Sequence, residues 1–298
     1  MKSKVILILL ILIPVIGIKS QIPVIVSEDS LKIGKNLLPG FSVTIPESDY
    51  DKTLDAWKRE LQASTKSKVV TENNEMSIFG AILKNLSPNP MNVYSRLIRL
   101  DSMLQLFVSL EKKKDEYIER TTSVAEYIKV KDYLKQFAKN QYIDVAKAQS
   151  DAEDKKLYNL QKELSSLENE KSRMQKSIQS DKDIITVDNN NITFQNDELR
   201  TVEAALKEQN NLLSTMEEGA ARKEKSEQIK ELEKRKKRAL NSIESSENRV
   251  TKARNAIDKA NNELPINEQK QARLIEQVNQ QEAVSLKYAE KLKRIREY

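Results

Sequence analysis

The chain has 298 residues, of which 32% are charged and 5% aromatic, with five glycines and seven prolines. That balance is too poor in large apolar side chains for one globular core of this length, and it is the composition of long exposed helices. Cysteine and histidine are absent. Disulfide staples, thiol nucleophiles, histidine-assisted nucleophiles and the ordinary zinc site are therefore excluded.

The N-terminal segment stands apart. Lys2 and Lys4 precede an apolar run from Val5 to Ile18, broken only by Pro14 and Gly17, and Lys19, Ser20 and Gln21 return to polar sequence. This is the layout of a secretory signal over residues 1–20. The apolar run reaches about 21 Å as a helix, against about 30 Å of hydrocarbon core. A membrane association is expected only if this signal stays uncleaved, and the expected location is the periplasm or the cell surface. Setting aside Lys2, Lys4 and Lys19 lowers the formal charge from +6 to +3, so the net charge gives little reason to expect nucleic acid as a partner.

Residues 21–38 read as an extended lead-in, and 39–142 as a small α+β domain. Phe41, Val43 and Ile45 alternate with Ser42 and Thr44, the period of a half-buried strand that Pro46 ends. Ser48 is a candidate cap for a helix that places Tyr50, Leu54, Trp57 and Leu61 on one face. Trp57, the single tryptophan, is expected to pack that helix on the sheet. Four short apolar runs follow: Lys68–Val70, Met76–Leu83, Met91–Ile98 and Met103–Leu110. Asp101-Ser102 reads as a tight turn, and Ser87-Pro88-Asn89-Pro90 as a loop that keeps two strands apart. A helix starting near Thr122 or Ser123 is expected to bury Val124, Tyr127, Ile128, Leu134 and Phe137.

From about residue 143 the pattern becomes heptads. Leu157, Leu164, Lys171, Ile178, Ile185, Ile192, Leu199, Leu206 and Leu213 form one column, with a companion from Leu160 to Met216 three places on. A second frame runs from Ile229 to Leu292, with a companion from Leu232 to Ile295. The frames are out of step across Glu218-Gly219-Ala220, and Gly219 is the only glycine after Gly80, so a chain reversal near 217–228 is expected. Arms 157–216 and 229–295 would then fold back on each other, pairing Leu213 with Leu232 and Leu160 with about Ser285. At about 1.5 Å per residue, each arm would reach roughly 90 Å from the small domain. Lys171, Asp181, Asp188, Gln195, Lys236, Asn267 and Gln271 occupy core-type positions, and Pro265 should kink the second arm. The expected fold is a small α+β N-terminal domain followed by a long antiparallel α-helical coiled-coil hairpin over 143–298.

Chemistry-bearing motifs are few. There is no phosphate-cradling glycine loop and no calcium-loop pattern, and no catalytic, cofactor-binding or metal residue is expected. Ser109-Leu110-Glu111-Lys112 matches only the bare spacing of serine–lysine acyl enzymes, without their companion motifs. The candidate interaction residues are Gly219, Ala220, Arg222 and Lys223 at the reversal, and the basic run Lys234, Arg235, Lys236, Lys237 and Arg238. Residues 230–238 could instead serve a polyanion, such as a polysaccharide or anionic lipid.

Pro39-Gly40-Phe41-Ser42-Val43, Ala56-Trp57-Lys58, Met91-Asn92-Val93-Tyr94 and the heptads from Leu157 resemble those of uncharacterised exported coiled-coil proteins of Bacteroidota-type bacteria. The resemblance implies an envelope location. Relatives of that kind are sometimes labelled repair ATPases, and the lack of any nucleotide-binding motif argues against that label here. The sequence reading is thus a non-enzymatic envelope interaction or spacer protein with a protein partner, association with further copies being left open.

Overall fold

The computed structural model describes residues 23–33 and 36–297. The expected signal segment lies outside them. The chain divides into two compact units, Met1–Lys155 with Ala283–Tyr298, and Lys156–Glu282.

The first unit contains an antiparallel sheet. Its strands are β1 (Val26–Ile33), β2 (Asn36–Pro46), β3 (Val70–Glu72), β4 (Glu75–Ala81), β5 (Met91–Arg99), β6 (Met103–Lys113) and β7 (Glu116–Tyr117), in the order β1-β2-β6-β5-β4-β3, with β7 pairing β6. The stretch read as a lead-in holds β1 and the start of β2, which pair from Val26 opposite Val43 to Ile33 opposite Asn36. The Ser87–Pro90 loop does not separate its flanking strands: β4 and β5 pair directly, with Met76 opposite Ser95. Asn73 and Asn74 take positive φ of 48° and 66° between β3 and β4. A two-residue hairpin turn demands that conformation and asparagine tolerates it.

Alternation along the strands sets the core. Met91, Val93, Ser95 and Leu97 of β5 are buried, and so are Leu104, Leu106, Val108 and Leu110 of β6. Helix α1 (Tyr50–Gln62) buries Thr53, Trp57 and Leu61 at four-residue spacing. Its cap is Asp49 rather than Ser48. The Asp49 carboxylate accepts from the Lys52 N–H at 3.0 Å, while the Ser48 hydroxyl donates to the Pro46 carbonyl. The Trp57 Nε1–H donates to the Ser95 hydroxyl at 2.9 Å, and its ring meets Phe137 edge-on at 5.0 Å. A fully buried indole needs that partner for its single donor.

Helix α2 (Val124–Thr215) supplies Val130, Tyr133, Leu134, Phe137 and Ala138 to the same core. Val124 and Ile128, expected inside, are 58% and 51% exposed. They lie outside the stripe that reaches the sheet, which starts with the half-buried Tyr127 against Phe41. Farther along the unit, Tyr142 and Ala146 of α2 pack on Ile295 of helix α3 (Ala220–Glu297).

The second unit is a helical hairpin in which α3 packs against α2. Its heptad columns are buried or half-buried at every position, from Leu157 to Met216 and from Ile229 to Gln281, as are the positions of the second frame from Ser285 to Ile295 in the first unit. α3 is a continuous helix through Pro265. The expected register is not the one adopted. The turn is short, with α2 ending at Thr215 and α3 beginning at Ala220. Shortening the loop slides one arm along the other, so Gln209 meets Lys225, Glu198 meets Arg235 and Glu170 meets Asn267. In the first unit Ser285 bonds Asp154, not the Leu160 region.

Candidate functional site

The turn expected at 217–228 occupies only the residues between Thr215 and Ala220. Gly219, Ala220, Arg222 and Lys223 are all exposed there. Arg222 is nevertheless committed: its Nη1 donates to the Met216 carbonyl at 2.9 Å, satisfying an acceptor that the end of α2 leaves open. The Gly219 carbonyl accepts from the Lys223 N–H at 3.2 Å, which makes Gly219 the N-cap of α3. Gly219 is not among the residues of positive φ, and a Cβ built on it meets nothing within 4 Å. The glycine marks the reversal without being demanded by it. Gly219→Ser is therefore expected to stabilise the hairpin by about half a kcal/mol, read by thermal melting, through a better cap and a stiffer unfolded chain. A loss of stability would show that the backbone does need glycine.

The basic run does not form one free patch. Arg235 grips Glu198 of α2 through Nε and Nη2 at 3.1 and 2.6 Å, and Lys236 reaches Glu203 at 2.8 Å. Lys234 and Arg238 lie 3.4 and 3.8 Å from the two oxygens of Glu231. Lys237 is exposed. Four of the five cations thus face carboxylates of the same hairpin, which reduces the local field available to a polyanion.

Two polar layers interrupt the covered columns. In the first, Asp188 is 4% and Ser246 0% exposed. Arg249 forks onto the carboxylate, Nε to Oδ2 at 2.9 Å and Nη2 to Oδ1 at 2.5 Å, and Nη2 also reaches the Ser246 hydroxyl at 2.9 Å. Asn191 Nδ2 donates to Ser246 and Ser242 at 2.8 and 3.2 Å. The Arg249 hydrogen bonds hold the Asp188 carboxyl below the ordinary carboxylate range, outweighing burial. In the second layer Asn267 donates to Glu170 at 3.0 Å, and Gln271 Nε2 bonds Asn267 Oδ1 at 2.7 Å and the Leu167 carbonyl at 3.2 Å. Lys171 is offset by Glu268 at 2.9 Å. Near Pro265, the polar residues Asn267 and Gln271 that occupy core-type positions are thus each hydrogen-bonded.

In the first unit, Glu47 follows β2 in a turn with φ of 53°, a conformation costly for a side-chain-bearing residue. From there its carboxylate accepts from Lys291 at 2.5 Å, Gln149 at 3.3 Å and Tyr142 at 3.4 Å. Burial raises the Glu47 carboxyl, but Lys291 and the two other donors outweigh it and leave it below its ordinary value. Burial, with the Glu47 charge beside it, pushes the Tyr142 hydroxyl up to about 12. A carboxyl held low in the fold contributes stability above its ordinary value of 4.5, and that stability is lost as pH falls through the folded value. Glu47→Gln should lower stability by about 1 kcal/mol at pH 7, a figure already discounted for solvent screening. Between pH 7 and 3, melts of the wild type should converge on those of the variant. A constant gap across that range would show that the charge is immaterial.

On the sheet face opposite Trp57, Glu111 is 7% exposed and accepts from Asn92 at 2.8 Å, Tyr94 at 3.1 Å and the Asp115 N–H at 2.9 Å. Burial followed by the Glu111 hydrogen bond pushes the Tyr94 hydroxyl up to about 12. Both Glu111 oxygens accept from neighbours on β5 or in the turn after β6, as in a structural network. Ser109 and Lys112, three apart on β6, fall on opposite faces. Ser109 donates to the Pro39 carbonyl at 2.6 Å, while Lys112 pairs with Glu126 at 2.9 Å, so the two do not form an acyl-transfer pair. A cavity of about 310 Å³ lies between β1, β2 and the start of α2, lined by Glu28, Asp29, Phe41, Arg120 and Tyr127 among others. Among the described residues no group of acidic side chains is placed to hold a metal ion, and no helix is long and apolar enough to cross a membrane.

No protein-family description matches the chain, and no curated protein matches it. Glu47, Lys291 and Arg249 are among the interacting residues that sequence reasoning missed. Asp188 was visible as one of several polar residues in a heptad column, and its partner could have been sought among the flanking cations of the other arm.

Proposed function

We propose that this chain is a non-enzymatic interaction or spacer protein of the cell envelope, whose antiparallel coiled-coil hairpin presents a contact surface at its turn. The observation that supports this reading most is the unbroken coverage of both heptad columns, from Leu157 to Met216 and from Ile229 to Ile295, on two uninterrupted helices. A helix pair of that length, with arms of about 90 Å in the second unit, offers separation rather than a concave reaction site. The exposed Glu217, Glu218 and Lys223 beside Gly219 give the turn a mixed-charge surface suited to a protein partner. The N-terminal layout of basic, apolar and polar residues supports export, and the resemblance to exported Bacteroidota-type proteins supports the same location.

The test has two parts. Matched heptads are deleted from both arms, keeping the register and the turn, and the phenotype and cross-linking at residue 223 are followed. Spacer function requires both to change with arm length; unchanged results sink the idea. Fractionation of the producing cell tests the location separately, and a chain retained in the cytoplasm with its first twenty residues intact overturns it.

A further inference from the structure

We infer that two copies of this chain associate side by side through one flank of α2, related by a two-fold axis between Val187 and Phe194. The argument starts from an exposed column. Arg173, Ser180, Val187, Phe194, Thr201 and Glu208 recur every seven residues, one position before the second covered column of α2, and all are exposed. Val187 and Phe194 are 67% and 66% exposed, and Ile184 beside them is 39% exposed. An aliphatic and an aromatic side chain one heptad apart on an otherwise polar flank form an apolar patch that the hairpin itself leaves open.

The order of residues along the column identifies what covers it. From the N-terminal end it runs cation, hydroxyl, aliphatic, then aromatic, hydroxyl, carboxylate. Rotation about an axis midway between Val187 and Phe194 lays the column on its own reverse. Val187 then meets Phe194 of the second copy, Ser180 meets Thr201, and Arg173 meets Glu208, each pair occurring twice. This is the self-complementarity an isologous interface needs, with an apolar centre and opposite charges at its ends. The charged ends also fix orientation, because a parallel arrangement in register sets Arg173 against Arg173 and Glu208 against Glu208. Within one copy Arg173 and Glu208 are 35 residues apart, about 52 Å along the helix, too far to pair with each other. Among the described residues neither makes an ion pair.

The test uses the full chain in sedimentation equilibrium at concentrations up to about 100 µM, which reads micromolar dissociation constants. The wild type is expected to be a dimer in this range. Phe194→Glu should weaken dimerisation by about tenfold or more, and Arg173→Glu should weaken it through like-charge contacts. Combining Arg173→Glu with Glu208→Arg should restore it, a recovery that a merely damaged fold cannot give. The chain has no cysteine, so disulfide trapping is clean. An equal mixture of Val187→Cys and Phe194→Cys chains should cross-link, and each alone should cross-link far less. A wild type that stays monomeric at 100 µM, a dimer indifferent to these substitutions, or trapping equal in all three samples overturns the inference.

Discussion

Gly40→Ala should be the most damaging small substitution in the sheet unit, lowering its stability by about 3 kcal/mol, at the upper end of the usual range for overpacking. A methyl at Gly40 would lie 2.4 Å from the Val108 carbonyl oxygen, 3.0 Å from its carbon and 3.1 Å from the Ser109 Cα. All three are backbone atoms of β6, so no side chain can rotate away. The strands cannot part either, because β2 and β6 pair from Phe41 opposite Val108 to Pro46 opposite Met103, and Ser109 ties itself to the Pro39 carbonyl beside the glycine. Urea unfolding followed by Trp57 fluorescence reads this directly, since Trp57 is fully buried in the same core. An unchanged midpoint would mean that β6 shifts freely and that the close approach is not binding on the fold.

Arg249→Ala should destabilise the hairpin far more than Asp188→Ala, although the two remove the same ion pair. The Asp188 side chain is 6% exposed and that of Arg249 51%. Removing the arginine strands a carboxylate among covered side chains; removing the aspartate returns a guanidinium to water. Asp188→Leu should melt at or above the wild-type temperature, because it replaces a covered carboxylate by an apolar side chain and Arg249 remains solvated. That gain should come with weaker register specification, visible as heterogeneous spin-label distances between the arms. Equal melting losses for Arg249→Ala and Asp188→Ala would refute the asymmetry.

These two substitutions also show where reading the sequence succeeds and where it stops. Periodicity found the central strands though not β1 or β7, and it found the helix carrying Trp57 and both heptad columns, because burial imposes a fixed spacing on apolar residues whatever the long-range fold. Register was misjudged because it depends on loop length, and nothing local revealed that Ala220 and the eight residues after it continue a helix. Glycine was weighed by position in the chain. Gly219, conspicuous for its isolation, stands in open space, whereas Gly40, one of several residues in a strand-like stretch, is held by backbone atoms of a strand nearly seventy residues away. Glu47 was invisible for the same reason. Its partners Tyr142, Gln149 and Lys291 are scattered through the sequence and meet only when both helices are in place. Long-range coincidence leaves no periodic trace.

The two polar layers have a mechanical consequence. Two helices joined only by a uniform apolar repeat can creep past each other by one heptad, about 10.5 Å, and recover most of their contacts afterwards. Here a step one way would set Arg249 against Gln195 and Asn267 against Ser177, losing the bonds to Asp188 and Glu170 without replacement, whereas a step the other way would set Arg249 against Asp181 and Asn267 against Glu163, which are like partners. The layers act as pawls engaged at two points along the hairpin. Under load between its arms, the pair is expected to hold against the sense that carries Arg249 toward Gln195, and to re-engage after one heptad in the sense that carries it toward Asp181.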